Sequence, residues 1–192
     1  MRFIDSSIIA VDKELNDLDH FVLDFAAILC KHTSYALVSG YVAILLGRAR
    51  GSEDVDVLIK SMSRKTFISF YSELLDNGYW CLNGDDSDEL YPYLTDGLSL
   101  RFAKKNEAIP NMEVKFALKP FDSATLADTV AVKTSGGELV ITSLERQIAY
   151  KRVVLGSEKD MADAEHLEDI AKGNLDANKL RRIMKELQDG KA

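Results

Sequence analysis

The sequence predicts an α/β protein in which a short mixed sheet flanked by helices is followed by a C-terminal helical bundle. Over residues 1–142, short apolar runs alternate with segments of helical spacing, whereas residues 143–192 keep helical spacing almost throughout. The 192-residue chain is 46% hydrophobic and 29% charged, a composition typical of a soluble globular protein with a substantial core. We therefore expect an α/β core at 1–142 and a helical region at 143–192 that packs on it.

The first half of the chain alternates helical and extended patterns. Apolar side chains recur at helical spacing over residues 11–31, with acidic residues on the other side. Val55 and Val57 alternate with acidic residues, which indicates a strand. Ser63 is a suitable N-cap, because its hydroxyl can accept a hydrogen bond from a free amide of the first helical turn. The predicted elements are helices over 11–31, 41–46 and 64–76 and strands over 35–38 and 55–59.

The second half contains further strands and then only helices. The stretch 83–97 is acidic and rich in turn residues, so we expect a surface loop there. The turn at 135–137 lies between two apolar runs and predicts a hairpin, and Gly156 is expected to end the first C-terminal helix. The predicted elements are strands over 98–103, 112–118, 130–133 and 138–141 and helices over 143–155, 158–172 and 176–188.

Charge and cysteine content narrow the classes of function. A net charge of −7 argues against a broad electrostatic grip on nucleic acid. Cys30 and Cys81 lack metal-ligand spacing, and we expect both to be buried free thiols in a reducing compartment. The sequence has neither the pattern of a signal peptide nor an apolar run of the roughly 18–20 residues that span a bilayer. We therefore expect a cytoplasmic protein with no membrane partner.

The pair Asp54 and Asp56 carries the strongest chemical signal. In a β-strand, residues i and i+2 point to the same face, so the two carboxylates should lie side by side. Like charges that close repel each other unless a cation lies between them, and paired carboxylates hold Mg²⁺ beside substrate phosphates. Glu113 lies in a strand whose opposite face is apolar. It is the best candidate for a third carboxylate, as a metal ligand or as the base that deprotonates an attacking hydroxyl.

A turn at Ser39 and Gly40 precedes this pair in the sequence. Phosphate chemistry needs backbone amides that can approach the phosphates closely, and the start of a helix offers free N–H groups. Gly40 permits close approach because it has no side chain, and Ser39 adds a hydroxyl donor. Together, the turn and the carboxylates predict a nucleotide phosphate chemistry that depends on a divalent metal.

These residues resemble the signature of the nucleotidyltransferase superfamily. The segment VSGYVAILLGRARGSEDVDVLI at 38–59 is similar to a pattern of Gly, then Gly or Ser, a spacer, and finally Asp, an apolar residue and Asp or Glu. Its acidic end is similar to the AbiEii-like and minimal nucleotidyltransferase-like branches. Further along, Ser143-Leu144-Glu145, Lys151 and the run 158–163 resemble the Lys … Lys-Asp-x-x-Asp helices of those branches.

The resemblance implies a nucleotidyltransferase-like fold and an activity. That activity is Mg²⁺- or Mn²⁺-dependent transfer of a nucleoside monophosphate from a nucleoside triphosphate (NTP) to a hydroxyl of a protein, an RNA or a small molecule. Similar branches occur in toxin–antitoxin modules, so the resemblance also implies a role as toxin or antitoxin. By resemblance, the metal-binding and catalytic residues are Asp54, Asp56 and Glu113, and the nucleotide-binding residues are Ser39, Gly40, Lys151 and Asp160.

Two departures from the signature leave a rival open. Ser39 stands where the signature usually has Gly, and Glu113 stands where Asp is usual. The rival is a catalytically inactive protein of the same fold that acts as a binding or regulatory partner. A metal-dependent nuclease built on the same carboxylates is a third reading, against which the phosphate turn argues. Glu113 could also be a surface residue that pairs with Lys115 or Lys119.

The basic residues and the C-terminal aspartates also have plainer alternatives. Arg48 and Arg50 either contact a phosphate or nucleic-acid substrate or belong to a solvated loop. Lys151 could be an ordinary surface charge on a helix. Asp160 and Asp163 could serve only to favour the first turn of a helix through its dipole.

Overall fold

One mixed sheet forms the centre of the protein. The computed structural model describes residues 1–190, so positions 191–192 of the expected helical region lie outside the described residues. Among the described strands, numbered in chain order, parallel pairing joins the second with the eighth, the third with the ninth and the fourth with the seventh, and the other neighbours are antiparallel. The strands are β1 (Arg2–Phe3), β2 (Ile8–Ala10), β3 (Tyr35–Leu37), β4 (Asp54–Ile59), β5 (Tyr79–Cys81), β6 (Leu100–Lys104), β7 (Asn111–Phe116), β8 (Thr129–Thr134) and β9 (Gly137–Thr142), in the spatial order β1-β2-β8-β9-β3-β4-β7-β6-β5.

The sheet is larger than the short sheet that the sequence predicts. Nine strands lie within residues 1–190, and three of them, β1, β2 and β5, are absent from the sequence prediction. Each of the three is only two or three residues long, too short for an alternating pattern to be detected. β2 pairs in parallel with β8, and Ile8 lies opposite Ala131, so distant parts of the chain extend the sheet.

Most of the predicted helices are confirmed. The helix over 64–76 has the predicted bounds, and the Ser63 hydroxyl accepts a hydrogen bond from the amide of Thr66 at 3.2 Å. The helix predicted over 11–31 is present but shorter. The described α-helices are α1 (Asp17–Leu29), α2 (Gly40–Leu45), α3 (Arg64–Asp76), α4 (Ser87–Thr95), α5 (Pro120–Ala127), α6 (Leu144–Tyr150), α7 (Glu158–Ile170) and α8 (Ala177–Gln188).

The prediction of a surface loop over 83–97 is wrong, because this stretch contains α4. Asp86 caps the helix by accepting a hydrogen bond from a first-turn amide, and Leu90 and Leu94 are buried. Two of the acidic residues on which the loop prediction rested, Asp88 and Glu89, lie in the first turn of the helix, where they interact favourably with its dipole. Pro92 lies inside the helix, and because proline is unfavourable within helices, its presence also argued against a helix at this point of the sequence. Helix α5 was not predicted either.

Strand β7 positions the candidate site. Its side chains at Met112, Val114 and Phe116 are buried in the core, as the alternating pattern predicts. Glu113 and Lys115 therefore lie on the opposite face. On that face, Glu113 and Lys115 line a cleft together with residues of α5 and α6.

The described chain after β9 is helical. Helix α6 runs directly into a π-helical turn, Lys151–Leu155, which ends at Gly156 with φ 66° as the sequence predicts. π-helical turns are rare and occur often at functional sites, so the turn that begins at Lys151 supports a functional role for this region. Helix α6 contacts both α7 and α8. The division of the chain at 142 and 143 stays a prediction.

The two cysteines are free, as expected, but only Cys81 is buried. The expectation of a buried thiol is wrong for Cys30, because this residue follows α1 at a point where the chain leaves the core. Within residues 1–190, no helix has the length and apolar character needed to cross a membrane.

Candidate active site

The site begins at the turn between β3 and α2, where the sequence predicts it. Ser39 has φ 61° and ψ −135°, a conformation that non-glycine residues rarely adopt. The N–H of Ser39 donates to Oε1 of Gln147 at 3.1 Å, and Nε2 of Gln147 donates to the carbonyl of Ser39. Gln147 is buried on α6. A helix of the C-terminal region therefore holds the turn in its conformation.

Strands β4 and β7 bring the candidate carboxylates together. They pair in parallel, with Asp56 directly opposite Glu113. Asp54 lies two residues earlier on the same face and is exposed, while Val55 and Val57 are buried on the other face. The three carboxylates therefore lie on one face of two adjacent strands. Their roles in catalysis and metal binding stay predictions.

The charge on Asp56 is unfavourable in this arrangement. Burial is the main reason why the pKa of Asp56 is raised to about 6, and the charges of Glu113 and Asp54 act in the same direction. A hydrogen bond from Ser39 and the charge of Lys151 act in the opposite direction without cancelling the effect. A cation beside Asp56 would remove the unfavourable interaction.

Glu113 is held by Arg101 on β6 and by Ser99 just before it, rather than by Lys115 or Lys119. The hydroxyl of Ser99 donates to one carboxylate oxygen at 2.8 Å. Arg101 donates from Nε to the other oxygen at 3.1 Å, and its Nη2 lies 3.0 Å from the same oxygen. Arg101 lies directly opposite Glu113 in the antiparallel β6–β7 pairing, which explains the contact. Glu113 is therefore oriented, and both of its oxygens already have partners.

Lys151 is a buried residue, so the alternative of an ordinary surface charge on a helix is wrong. Its side chain is 1% exposed, and Nζ donates to Asp160 at 2.9 Å and to Asp163 at 2.8 Å. Burial lowers the pKa of Lys151, while the contact with Asp160 opposes this effect. Burial by itself would raise the pKa of Asp160, but hydrogen bonds from Ser157 and Lys151 lower it. The two aspartates thus do more than favour a helix dipole.

Arg48 and Arg50 complete this group of charges. Both form ion pairs with Asp163, and their side chains are only 21% and 12% exposed, so the alternative of a solvated loop is wrong. The guanidinium of Arg50 lies over Gly40, and a side chain at position 40 would displace it. Arg50 also interacts electrostatically with Asp54. We call this group the basic cluster: Arg48, Arg50 and Lys151, with Asp160 and Asp163.

The carboxylates fit a divalent cation that is shared with a substrate. Within the described residues, no group of three or more His, Cys, Asp and Glu side chains is arranged to hold a metal by itself. Mg²⁺, however, usually keeps several waters and binds one or two carboxylates together with substrate phosphates. Asp54 and Asp56 on one strand face, with the raised pKa of Asp56, suit such a shared site.

A cleft of about 280 Å³ opens beside Asp56 and Glu113, between the sheet and the helices α5 and α6. The rings of Phe121 and Tyr150 stack along one wall, with their centroids 5.3 Å apart and their planes 20° from parallel. We call it the aromatic cleft. Its lining includes Asp56, Glu113, Lys115 and Thr142 of the sheet strands, and Phe121, Asp122, Arg146 and Tyr150 of the helices α5 and α6.

Sequence reasoning missed Gln147 and the aromatic wall. Helix α5, which carries Phe121, begins at Pro120 and has no clear apolar stripe, so no local signal pointed to it. Gln147 is different, because it lies four residues before Lys151. That spacing puts both side chains on one face of a helix, and it could have linked Gln147 to the site.

Solved structures that are similar to this chain include the following two. One is the crystal structure of an antigenic nucleotidyltransferase-like protein from Paracoccidioides brasiliensis, with a TM-score of 0.55, 17% identity, and coverage of 89% of this chain and 86% of that chain. The other is ANT(2")-Ia in complex with adenylyl-2"-tobramycin, with a TM-score of 0.52, 16% identity, and coverage of 91% and 97%. No family model and no curated protein matches the sequence.

At these identities the likeness concerns the fold. The predicted nucleotidyltransferase-like α/β fold, with its mixed sheet and flanking helices, is confirmed. The assignment to the AbiEii-like or minimal branch stays a prediction from the sequence.

Proposed function

We propose that this protein is a Mg²⁺-dependent nucleotidyltransferase that moves a nucleoside monophosphate from an NTP to an acceptor hydroxyl. The observation that carries the proposal is the position of Asp56. Its partly buried carboxylate lies opposite Glu113 in the β4–β7 pairing and beside the Ser39 turn. It also lies close enough to Lys151 for their charges to interact. Carboxylates between a cationic group and an open cleft are what a phosphoryl-transfer site needs.

The basic cluster suits the triphosphate. Its three cations outnumber its two carboxylates, and Arg50 lies against Gly40 at the predicted phosphate turn. A bound triphosphate would compete with Asp163 for the guanidinium groups of Arg48 and Arg50. Planar guanidinium groups bind phosphate oxygens in pairs, which makes such an exchange favourable.

The carboxylates would act on the reacting atoms. Asp54 and Asp56 would hold Mg²⁺, which neutralises the phosphate charge and orients the α-phosphate for attack. The acceptor oxygen forms the new bond to the α-phosphorus, the bond to the β-phosphate oxygen breaks, and pyrophosphate leaves. Glu113 accepts the hydroxyl proton or binds a second metal ion. Ser39 keeps Asp56 in place through its hydroxyl.

The class of acceptor and the biological setting also belong to the proposal. The complex of ANT(2")-Ia contains an adenylylated small molecule, which favours a small molecule among the possible acceptors. Membership of the AbiEii-like branch, a role in a toxin–antitoxin module and a cytoplasmic location are proposed from the sequence alone.

A thermal shift experiment tests the proposal. We expect Mg²⁺ or Mn²⁺ together with an NTP to raise the melting temperature of the wild type. The metal ion alone or the NTP alone should raise it by less. Asp56→Asn should abolish the response, while Asp96→Asn, an exposed carboxylate outside the site, should keep it. Incubation with each labelled NTP and a cell extract would then identify the acceptor. Absence of any shift with all four NTPs contradicts the proposal.

One observation favours the rival, a catalytically inactive protein that acts as a binding or regulatory partner. Glu113 already has Ser99 and Arg101 on its two oxygens, so it is poorly placed to take up a proton or a metal ion. The rival predicts a protein that binds a macromolecular partner without any response to Mg²⁺ and NTP. Co-purification of a partner, together with a flat thermal response, would support it.

A further inference from the structure

We propose that residues 47–53 form a strap that closes the phosphate turn, with Asp163 as its latch, and that an entering nucleotide displaces the latch. The inference rests on the proposed function, because it assigns the regulation of the same nucleotide site. Three observations support it: the strap fills the space beside Gly40, two arginines hold it to α7, and a phosphate chain competes for the same arginines.

Arg50 of the strap occupies the approach to the phosphate turn. A side-chain carbon on Gly40 would overlap Nη2 of Arg50, so the guanidinium fills the space that the glycine leaves. The sequence predicts that phosphates use this space, because Gly40 has no side chain. While the strap is closed, a phosphate meets Arg50 there instead. Arg50 therefore has to move before a phosphate can contact Gly40.

Contacts with α7 hold the strap closed. Arg48 pairs with Asp163 and donates to the carbonyl of Lys159 at 3.1 Å. Arg50 donates to the same carboxylate of Asp163 at 3.3 Å. Within the described part of the chain, none of residues 49–52 takes part in a hydrogen bond between main-chain groups. The two arginine side chains are therefore the main attachment of the strap.

The start of the strap is suited to act as a hinge. The carbonyl of Leu46, just before the strap, lies 3.2 Å from Nε2 of His166 on α7, so this end stays attached. Gly47 follows with φ 100°, a conformation that is open to glycine and strained for other residues. A side-chain carbon on Gly47 or Gly51 would meet no atom within 4 Å, so packing fixes the chain on neither side of the arginines.

The contacts of Asp163 are those of a latch that can be released. Asp163 is fully buried, and Lys151 donates to it at 2.8 Å whether the strap is open or closed. Nε of Arg50 is buried and has no hydrogen-bond partner within residues 1–190. Such an atom costs free energy that a new partner would recover. Asp163 therefore keeps a partner when the strap opens, while Arg50 can gain one.

A phosphate chain is the class of ligand that can displace Asp163. Guanidinium groups bind phosphate oxygens in pairs, and a pyrophosphate group carries more negative charge than one carboxylate. Opening also takes Arg50 away from Asp54, with which it interacts electrostatically. The loss of a neighbouring cation makes Asp54 a better partner for Mg²⁺. Release of the latch thus couples nucleotide entry to metal binding.

Trypsin cleavage measures how often the strap opens. Trypsin can cleave after Arg48 or Arg50 only when those side chains leave Asp163, and its rate follows the population of the open form. We expect Asp163→Asn to speed cleavage after both arginines about tenfold, the effect of one charge-assisted hydrogen bond. Asp160→Asn removes a carboxylate that pairs with Lys151 rather than with the strap, so it should leave the rates nearly unchanged.

Two further measurements protect the test against misfolding. Lys172 is exposed in the turn after α7, and its cleavage should stay the same in every variant that keeps the C-terminal helices folded. Arg48→Gln removes one arm of the strap and leaves the buried pair of Lys151 and Asp163 intact. This variant should still speed cleavage after Arg50 about two- to fivefold. Unchanged cleavage after Arg50 in either variant overturns the inference.

Calorimetry with pyrophosphate, in the absence of metal, tests the latch itself. A ligand that binds only the open form gains affinity in proportion to the open population. Asp163→Asn should therefore bind pyrophosphate about tenfold more tightly than the wild type. Asp169→Asn, an exposed carboxylate near the end of α7, should bind it like the wild type.

Two outcomes of the calorimetry overturn the inference. Weaker or equal binding by Asp163→Asn means that Asp163 orients the arginines for the phosphate instead of competing with it. An equal gain of affinity in Asp160→Asn means that the loss of a negative charge, and not the release of the strap, explains the effect.

The melting temperature separates this inference from the proposed function. A wild type that responds to Mg²⁺ and ATP, together with an Asp163→Asn variant that binds pyrophosphate more weakly, keeps the proposed function and overturns the strap. A wild type that responds to no NTP, together with an Asp163→Asn variant that binds no pyrophosphate, overturns both.

Discussion

Gln147 binds both main-chain polar groups of Ser39, although 108 residues separate them in the sequence. Ser39 has φ 61°, a backbone conformation that costs a non-glycine residue about 1–3 kcal/mol. The side-chain amide of Gln147 offsets this cost by satisfying the N–H and the carbonyl at once. Because the hydroxyl of Ser39 also bonds to Asp56, the C-terminal helix α6 helps to position the candidate metal ligand.

Replacing Gln147 with Ala should therefore destabilise the protein. Two main-chain groups of Ser39 lose their partner, and we expect the free energy of unfolding to fall by about 2 kcal/mol in urea titrations. Gln188→Ala, at an exposed position on α8, is the matched control and should change it by less than about 0.5 kcal/mol. In a Ser39→Gly background the loss should be smaller, since Gly adopts φ 61° without strain. Strictly additive effects would contradict this account.

The pKa of Asp56 predicts how stability depends on pH. Its folded-state pKa of about 6 lies above the value of 3.8 expected in the unfolded chain, so the folded protein binds more protons between these values. The stability that Asp56 contributes in the metal-free protein should be full below pH 4 and be lost as the pH rises through 6. Asp56→Asn should then be more stable than the wild type at pH 7, by up to about 3 kcal/mol, and similar at pH 4.

Urea titrations in the presence of a chelator at pH 4, 5, 6 and 7 measure this dependence. Asp96→Asn, an exposed residue at the end of α4, controls for the general effect of removing a carboxylate. A difference between Asp56→Asn and the wild type that stays constant over the pH range would disprove the assignment. Addition of Mg²⁺ should reduce the difference at pH 7, because the cation favours the charged form of Asp56.

Lys151→Met should be the most destabilising single change in the site. The variant leaves Asp160 and Asp163 without their buried ammonium partner. Breaking a buried ion pair typically costs about 3–5 kcal/mol. We expect a loss of about 3 kcal/mol here, because Arg48 and Arg50 remain beside Asp163. Lys185→Met, on the exposed side of α8, should have almost no effect. Equal stability of the two variants in urea would contradict the buried placement of Lys151.

Arg101→Gln should make the site bind Mg²⁺ more readily. The variant removes the cation that neutralises Glu113 and increases the negative charge facing Asp56. We expect the Mg²⁺ concentration for a half-maximal thermal shift with NTP to fall about two- to fivefold, a size suited to a partly exposed ion pair. Arg64→Gln breaks an exposed ion pair with Asp88 elsewhere on the surface and serves as the control. An unchanged or higher Mg²⁺ requirement would count against Glu113 as part of the metal site.

The sequence predicts a helix or strand correctly where a few neighbouring residues are enough to specify it. The bounds of α3 follow from the cap at Ser63 and the glycine after the helix, and the alternation of β7 follows from side-chain period alone. Helix α4 was missed because charge and proline outweighed two buried leucines in a short segment. The strands β1, β2 and β5 were missed because pairing with neighbours, rather than their own pattern, makes them strands.

The candidate site also has a part that local sequence predicts and a part that depends on tertiary contacts. The turn at Ser39 and the pair Asp54 and Asp56 could be found from the amino acids alone, because a turn and an i, i+2 spacing are local geometry. The tertiary structure decided which groups surround them. Glu113 reaches Asp56 through a parallel strand pairing, and Gln147 reaches Ser39 through helix packing. No local period encodes contacts between residues so far apart in the chain, and only the packed sheet and helices create them.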